Sequence, residues 1–249
     1  MTDLTVPGPF TTPDPWEQLR AFTSARIALG RTGAAVPLRE VLQFRLAHAH
    51  ARDAVYSALD TTLFLHQPWE VNILHSQAAD RSEYLQRPDK GRKLETSSAA
   101  SLSPVHTDLA IVLADGLSAT AVNRHAIPVM TYLYPMLQAK HISCAPVQLV
   151  QQGRVAVGDE IGALLGAKLV LVLIGERPGL TTPDSLGAYL TWQPRPGLTD
   201  EARNCISNIR PEGLPYSTAA EKIFYFVQEV LRLKLTGVKL KDNFRAAIS

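Results

Sequence analysis

Two hydrophobic periods alternate along the second half of the chain. Leu169 to Ile174 is an unbroken aliphatic run, and Leu109 to Ala114 (LAIVLA) is another. A strand that apolar must be covered on both faces, which marks a central strand of a parallel sheet. Residues 144–150 predict a third strand, and 187–192 and 205–209 weaker ones. Between these runs the period becomes helical. Ile161, Leu164 and Leu165 share a face within 157–167, and Gly166 falls where that helix ends. Ser118 can cap a helix running to about Lys140. A last helix, 218–235, carries Ile223, Phe226, Val227, Val230 and Leu231 on one side. Two βαβ units in succession imply right-handed crossovers. The expectation is an α/β fold: a Rossmann-like parallel sheet flanked by helices over residues 101–249.

The first hundred residues follow a different pattern. Pro7, Pro9 and Pro13 make residues 1–13 an irregular arm, dispensable for any chemistry. Asp14-Pro15-Trp16-Glu17 reads as a helix start, with an N-cap acid and a proline in the first turn. Residues 23–33 place Arg26 and Arg31 among glycines and read as a loop, or as a place to hold an anion or a partner. Residues 37–59 are helical, with Leu42, Leu46, Ala49 and Val55 near one face. His48 and His50 point about 200° apart on that helix and cannot share one metal. Residues 80–94 mix dense charge with Tyr84, Leu85 and a turn at Arg87-Pro88-Asp89, which suits either a solvated loop or an interface. Residues 1–100 are therefore expected to form an arm and a mainly helical, partner-contacting region.

Composition narrows the function classes. The chain has 249 residues, 46% hydrophobic and 19% charged, with a net charge of +2. That charge, with no basic run interleaved with aromatics, argues against nucleic acid. No apolar run can span a bilayer and the N-terminus lacks a secretory pattern, so a cytoplasmic setting is expected. Cys144 and Cys205 form no CxxC and suggest neither a zinc site nor a disulfide framework. Asp115-Gly116-Leu117-Ser118-Ala119 follows a strand but lacks dinucleotide-loop glycine spacing. No phosphate loop and no GxSxG elbow occur. In open α/β sheets ligands bind beyond the carboxyl ends of the strands. Glu176 falls just past the 169–174 strand, so that edge is where function is sought. The residues alone support a binding domain and name no reaction.

Five stretches carry a resemblance: TSARIALGRTG (23–33), SEYLQRPDKGRKL (82–94), LADGLSATAVN (113–123), GRVAVGDEIGALLGAKLVLVLIGERPGL (153–180) and NCISNIRPEG (204–213). In this order they resemble the small subunit of ethanolamine ammonia-lyase, an adenosylcobalamin-dependent family. The resemblance implies a heteromeric carbon–nitrogen lyase. A barrel-shaped large subunit holds ethanolamine, adenosylcobalamin lies between large and small subunits, and radical deamination yields acetaldehyde and ammonia. Three cofactor contacts carry over: Val155 of GRV, Glu176 of GERPGL and Cys205 of CISNI. No catalytic residue and no metal ligand is implied on this chain, which lacks the Asp-x-His-x-x-Gly loop of histidine-ligated cobalamin carriers.

Each contact has an alternative reading from the residues. Glu176 can accept hydrogen bonds from corrin amides, or pair locally with Arg177. Val155 can offer a small apolar contact, or be a core residue before a helix. Cys205 would otherwise be a buried packing residue. The family also implies a bacterial microcompartment, against which the short proline-rich arm ahead of TSARI argues. The rival functions are a stand-alone Rossmann-like nucleotide- or corrinoid-binding module without catalysis, and an independent small-molecule enzyme.

Overall fold

One sheet of six strands carries the chain: β1 (Val71–His75), β2 (Leu109–Ala114), β3 (Val147–Gln151), β4 (Leu169–Gly175), β5 (Leu186–Trp192) and β6 (Arg203–Ile209). The computed structural model describes residues 14–23 and 25–245, so the expectation for the first 13 residues lies outside it. The strand order is β1-β3-β2-β4-β5-β6. β2 and β4 are buried along their whole length, as their aliphatic runs predict.

The sheet is mostly, not wholly, parallel. β1, β3, β2 and β4 run together, whereas β5 and β6 are antiparallel to their neighbours. The reason is connection length. Residues 176–185 and 193–202 contain at most a single 3₁₀ turn, and a parallel return needs a longer crossover. β1 was not predicted: Val-Asn-Ile-Leu-His mixes polar and apolar positions without clean alternation, as an edge strand can.

Six α-helices accompany the sheet among the described residues: α1 (Leu38–Tyr56), α2 (Arg81–Gln86), α3 (Thr96–Ala100), α4 (Ala119–Ala139), α5 (Val157–Leu165) and α6 (Tyr216–Leu233). The predicted stops and starts are where the sequence puts them. Ser118 Oγ accepts the Ala121 N–H at the start of α4, and Gly166 closes α5 in the left-handed region at φ 64°. Asp14 accepts the Trp16 N–H at 2.9 Å, but the turn it begins, Glu17–Ala21, is 3₁₀ rather than α.

Strand alternation divides the core in two. Leu109, Ile111 and Leu113 of β2 and Leu169, Leu171 and Leu173 of β4 pack with α4 and α6. Ala110, Val112, Ala114, Val170, Val172 and Ile174 pack with α5 on the opposite face. The chain leaves β2 toward α4 on one face and leaves its neighbour β3 toward α5 on the other. The loops after these strands therefore diverge, which opens a crevice at the carboxyl edge.

α1 differs from the other long helices. It buries only Glu40 and Ala54, while Leu42 and Leu46 on its predicted apolar face are 54% and 58% exposed. Among the described residues no helix is long and apolar enough to cross a membrane.

Candidate functional site

The carboxyl edge is built by close backbone contacts. Gly116, after β2, lies at φ 58°, and a Cβ there would sit 2.3 Å from the Gly175 carbonyl oxygen. A Cβ on Gly175 would lie 2.0 Å from the Ser118 carbonyl oxygen. Only glycine at both positions lets the β2 loop and the end of β4 meet. Between them Asp115, 2% exposed, accepts the backbone N–H groups of Gln152 and Gly153 at 2.8 and 2.9 Å. Burial pushes its carboxyl up to about 6, against the pull of those hydrogen bonds and of Arg81. Arg81 in turn donates to the Gly116 carbonyl at 2.8 Å.

Residues 82–94 are solvated at Ser82 and from Gln86 to Asp89 but anchored through the buried Tyr84, Gly91 and Leu94. Tyr84 is fully buried between two guanidinium groups, with Arg81 and Arg154 each 4.5 Å from the ring centroid. Arg154 also donates from Nη2 to the Tyr84 carbonyl at 3.1 Å, and its backbone N–H donates to Gly91 at 2.8 Å. The segment thus wedges the loop between β3 and α5 in place, while Arg87 and Asp89 pair with each other in solvent.

Above this frame lies a cleft of about 740 Å³. Val155 and Glu176 both line it, together with Arg154, Tyr189, Asn208 and Arg210. Val155, half-buried, also lines a second cavity of about 800 Å³, as does Arg154. Glu176 accepts the Asn208 N–H through Oε2 at 3.1 Å, and its own N–H donates to Ser185 at 3.0 Å. It ties the end of β4 to β6, and among the described residues it forms no ion pair with Arg177. Glu176 Oε1 has no donor among those residues.

Cys205 stands apart from the other two. Its side chain is exposed, not buried in packing, with Sγ 3.3 Å from Ser207 Oγ. It does not line the cleft, but it pairs across strands with Tyr189, which does. Burial, and next the Cys205 thiol, raise the Tyr189 hydroxyl above its ordinary value. The sequence reading missed Tyr84, Arg154, Tyr189, Asn208 and Arg210. Tyr84, Arg154, Asn208 and Arg210 sit inside stretches already singled out, whereas Tyr189 on a weakly patterned strand gave no signal.

Comparison with known proteins covers nearly the same span. Residues 13–241 match the family described as Ethanolamine ammonia-lyase light chain (EutC). The chain is 55% identical over 240 residues to the ethanolamine ammonia-lyase small subunit of Pseudomonas fluorescens (strain Pf0-1), covering 92% of this chain and 88% of that one. The small subunit of Azotobacter vinelandii is 53% identical over 246 residues, covering 95% and 91%. That of Ralstonia nicotianae is 52% identical over 253 residues, covering 97% and 94%. On a family match and relatives that span almost the whole chain, this protein belongs to the ethanolamine ammonia-lyase light-chain family and is a lyase subunit.

Proposed function

We propose that this chain, together with a large subunit that binds ethanolamine, binds adenosylcobalamin and supports the radical deamination of ethanolamine to acetaldehyde and ammonia in the cytoplasm. The Rossmann-like part, residues 101–249 with β1 and the 82–94 segment packed onto it, is the corrinoid platform, and the residues before β1, α1 among them, supply contacts to the large subunit. The observation that carries the reading is that Val155 and Glu176, from the ends of two different strands, line one cleft.

The residues present suit a corrinoid. Neutral amides around a corrin ring need both acceptors and donors. Glu176 Oε1 is a free acceptor on a rigid strand end, and Arg210 offers N–H groups across the cleft. Gly116 and Gly175, which line it, let the β2 loop and the end of β4 come together at its wall. When bound, the cofactor supplies the radical that starts the reaction. This chain's residues bind and orient: Glu176 accepts, Val155 gives an apolar contact, and Cys205 flanks Tyr189 at the rim. The exposed Leu42 and Leu46 of α1 are an apolar surface suited to the large subunit.

Reconstitution tests the proposal. The chain with its large subunit and adenosylcobalamin deaminates ethanolamine, and neither subunit does so alone. Turnover by this chain alone contradicts the reading, and corrinoid binding that never supports turnover with the large subunit favours a stand-alone module.

A further inference from the structure

We propose that Arg154 binds the phosphodiester in the nucleotide loop of cobalamin. The inference rests on the reading of the cleft as a corrinoid site and adds a recognition residue to it. Arg154 lines both the 740 Å³ cleft and the adjoining 800 Å³ cavity, as does Val155 next to it, so the two spaces meet at this residue.

The charge around these cavities is unevenly matched. Arg203, on the second cavity, is paired with the buried Asp159 and with Asp200. Arg210, in the cleft, reaches Glu212 at 3.5 Å and Asn208 Oδ1 at 2.9 Å. Glu160, on the wall of the second cavity, accepts the Leu94 N–H at 2.8 Å. Arg154 has no carboxylate in salt-bridge range among the described residues, nor do Arg92 and Lys93 on the same wall. Its Nε is buried without an acceptor and its Nη2 is engaged, whereas its Nη1 has no hydrogen-bond partner among the described residues and is not sealed from solvent. A half-buried cation without a paired carboxylate is costly, and an anion at Nη1 offsets that cost.

Arg154 is also held in advance. Its guanidinium stacks on Tyr84 at 4.5 Å, and its Nη2 is engaged with the Tyr84 carbonyl at 3.1 Å. A fixed guanidinium fork matches phosphate geometry and loses little freedom on binding. The corrin amides are neutral and the phosphodiester is the anionic group of the cofactor, so it is the part of the ligand this cation selects.

Three corrinoids separate this contact from mere support of the cleft: adenosylcobalamin, adenosylcobinamide phosphate, which keeps a phosphate without the base, and adenosylcobinamide, which has neither. Their affinities are measured by absorbance titration of the complex of this chain with its large subunit. Arg154→Ala weakens the two phosphate-bearing ligands about tenfold or more, and Arg154→Lys, which keeps charge without the fork, weakens them less. Adenosylcobinamide is held equally by wild type and variants. Equal weakening of all three ligands makes Arg154 a structural residue and overturns the proposal, as does no change in any. Wild-type complex that binds none of the three instead overturns the corrinoid reading itself.

Discussion

Asp115, at the end of β2, accepts the backbone N–H of Gly153, beyond the end of β3, at 2.9 Å. A second bond to Gln152, at 2.8 Å, makes the carboxylate a clamp across neighbouring strand ends. The loop it fixes delivers Arg154 and Val155 to the cleft, so a residue with no place on the cleft wall sets where two of its lining residues stand.

Asp115→Asn therefore destabilises the fold by about 1–3 kcal/mol in mild acid, because its NH2 would face one of two N–H groups that now meet carboxyl oxygens. The deficit depends on pH with a defined sign. The folded carboxyl sits at about 6 against an ordinary 3.8, so the folded state holds the proton between those values while the unfolded state has lost it. Wild-type stability from this group is greatest below that window and falls as pH rises through it. Urea unfolding of both proteins accordingly shows the gap widest near the lower value and narrower at neutral pH; a gap that widens with pH contradicts the assignment.

Gly175→Ala is predicted to be severe. Its Cβ would meet the Ser118 and Asp115 carbonyl oxygens at 2.0 and 2.7 Å, and both belong to backbone that cannot swing aside. A loss of about 1–3 kcal/mol or more in thermal or urea unfolding is expected. Wild-type stability in the variant would show that the β2 loop and β4 are not pressed together.

The apolar face of α1 gives the opposite expectation. Leu42 and Leu46 are 54% and 58% exposed, so replacing both by glutamine changes the stability of the chain by no more than about 0.5 kcal/mol each. Association with the large subunit, followed by ultracentrifugation, weakens about tenfold or more if this face is the contact. Unchanged association removes α1 from the interface.

The two thiols are predicted to differ in reactivity. Cys205 is exposed, whereas Cys144 is half-buried and burial pushes its thiol up to about 11. Iodoacetamide followed by peptide mapping labels Cys205 first. In the assembled complex, adenosylcobalamin slows that labelling; an unaltered rate shows that Cys205 lies outside the cofactor's reach.

The sequence made some of this legible and hid the rest for physical reasons. The runs at 109–114 and 169–174 could only be doubly covered strands, and Ser118 and Gly166 mark helix ends by local chemistry. β1 was hidden because an edge strand needs no strong pattern, and the reversal at β5 and β6 because strand direction depends on the connections. The periodicity of α1 predicted an apolar face but could not tell whether this chain covers it, and it does not. Glu176 is singled out by its place at a readable strand end, whereas Val155 and Cys205 are named only through the resemblance. Tyr84 beneath Arg154 could not be read, since the two are brought together only by the packing of residues far apart in the chain.

The most direct test of the central claim is the affinity of the reconstituted complex for adenosylcobalamin when Glu176 is changed. Glu176→Gln leaves one acceptor oxygen in place of two, enough for the Asn208 N–H or for a corrin amide but not for both, so binding weakens modestly. Glu176→Ala removes both and weakens binding roughly tenfold to a hundredfold, while stability falls by no more than about 1–2 kcal/mol. An alanine variant that unfolds as just described yet binds adenosylcobalamin as tightly as wild type would contradict the assignment of this cleft to the cofactor.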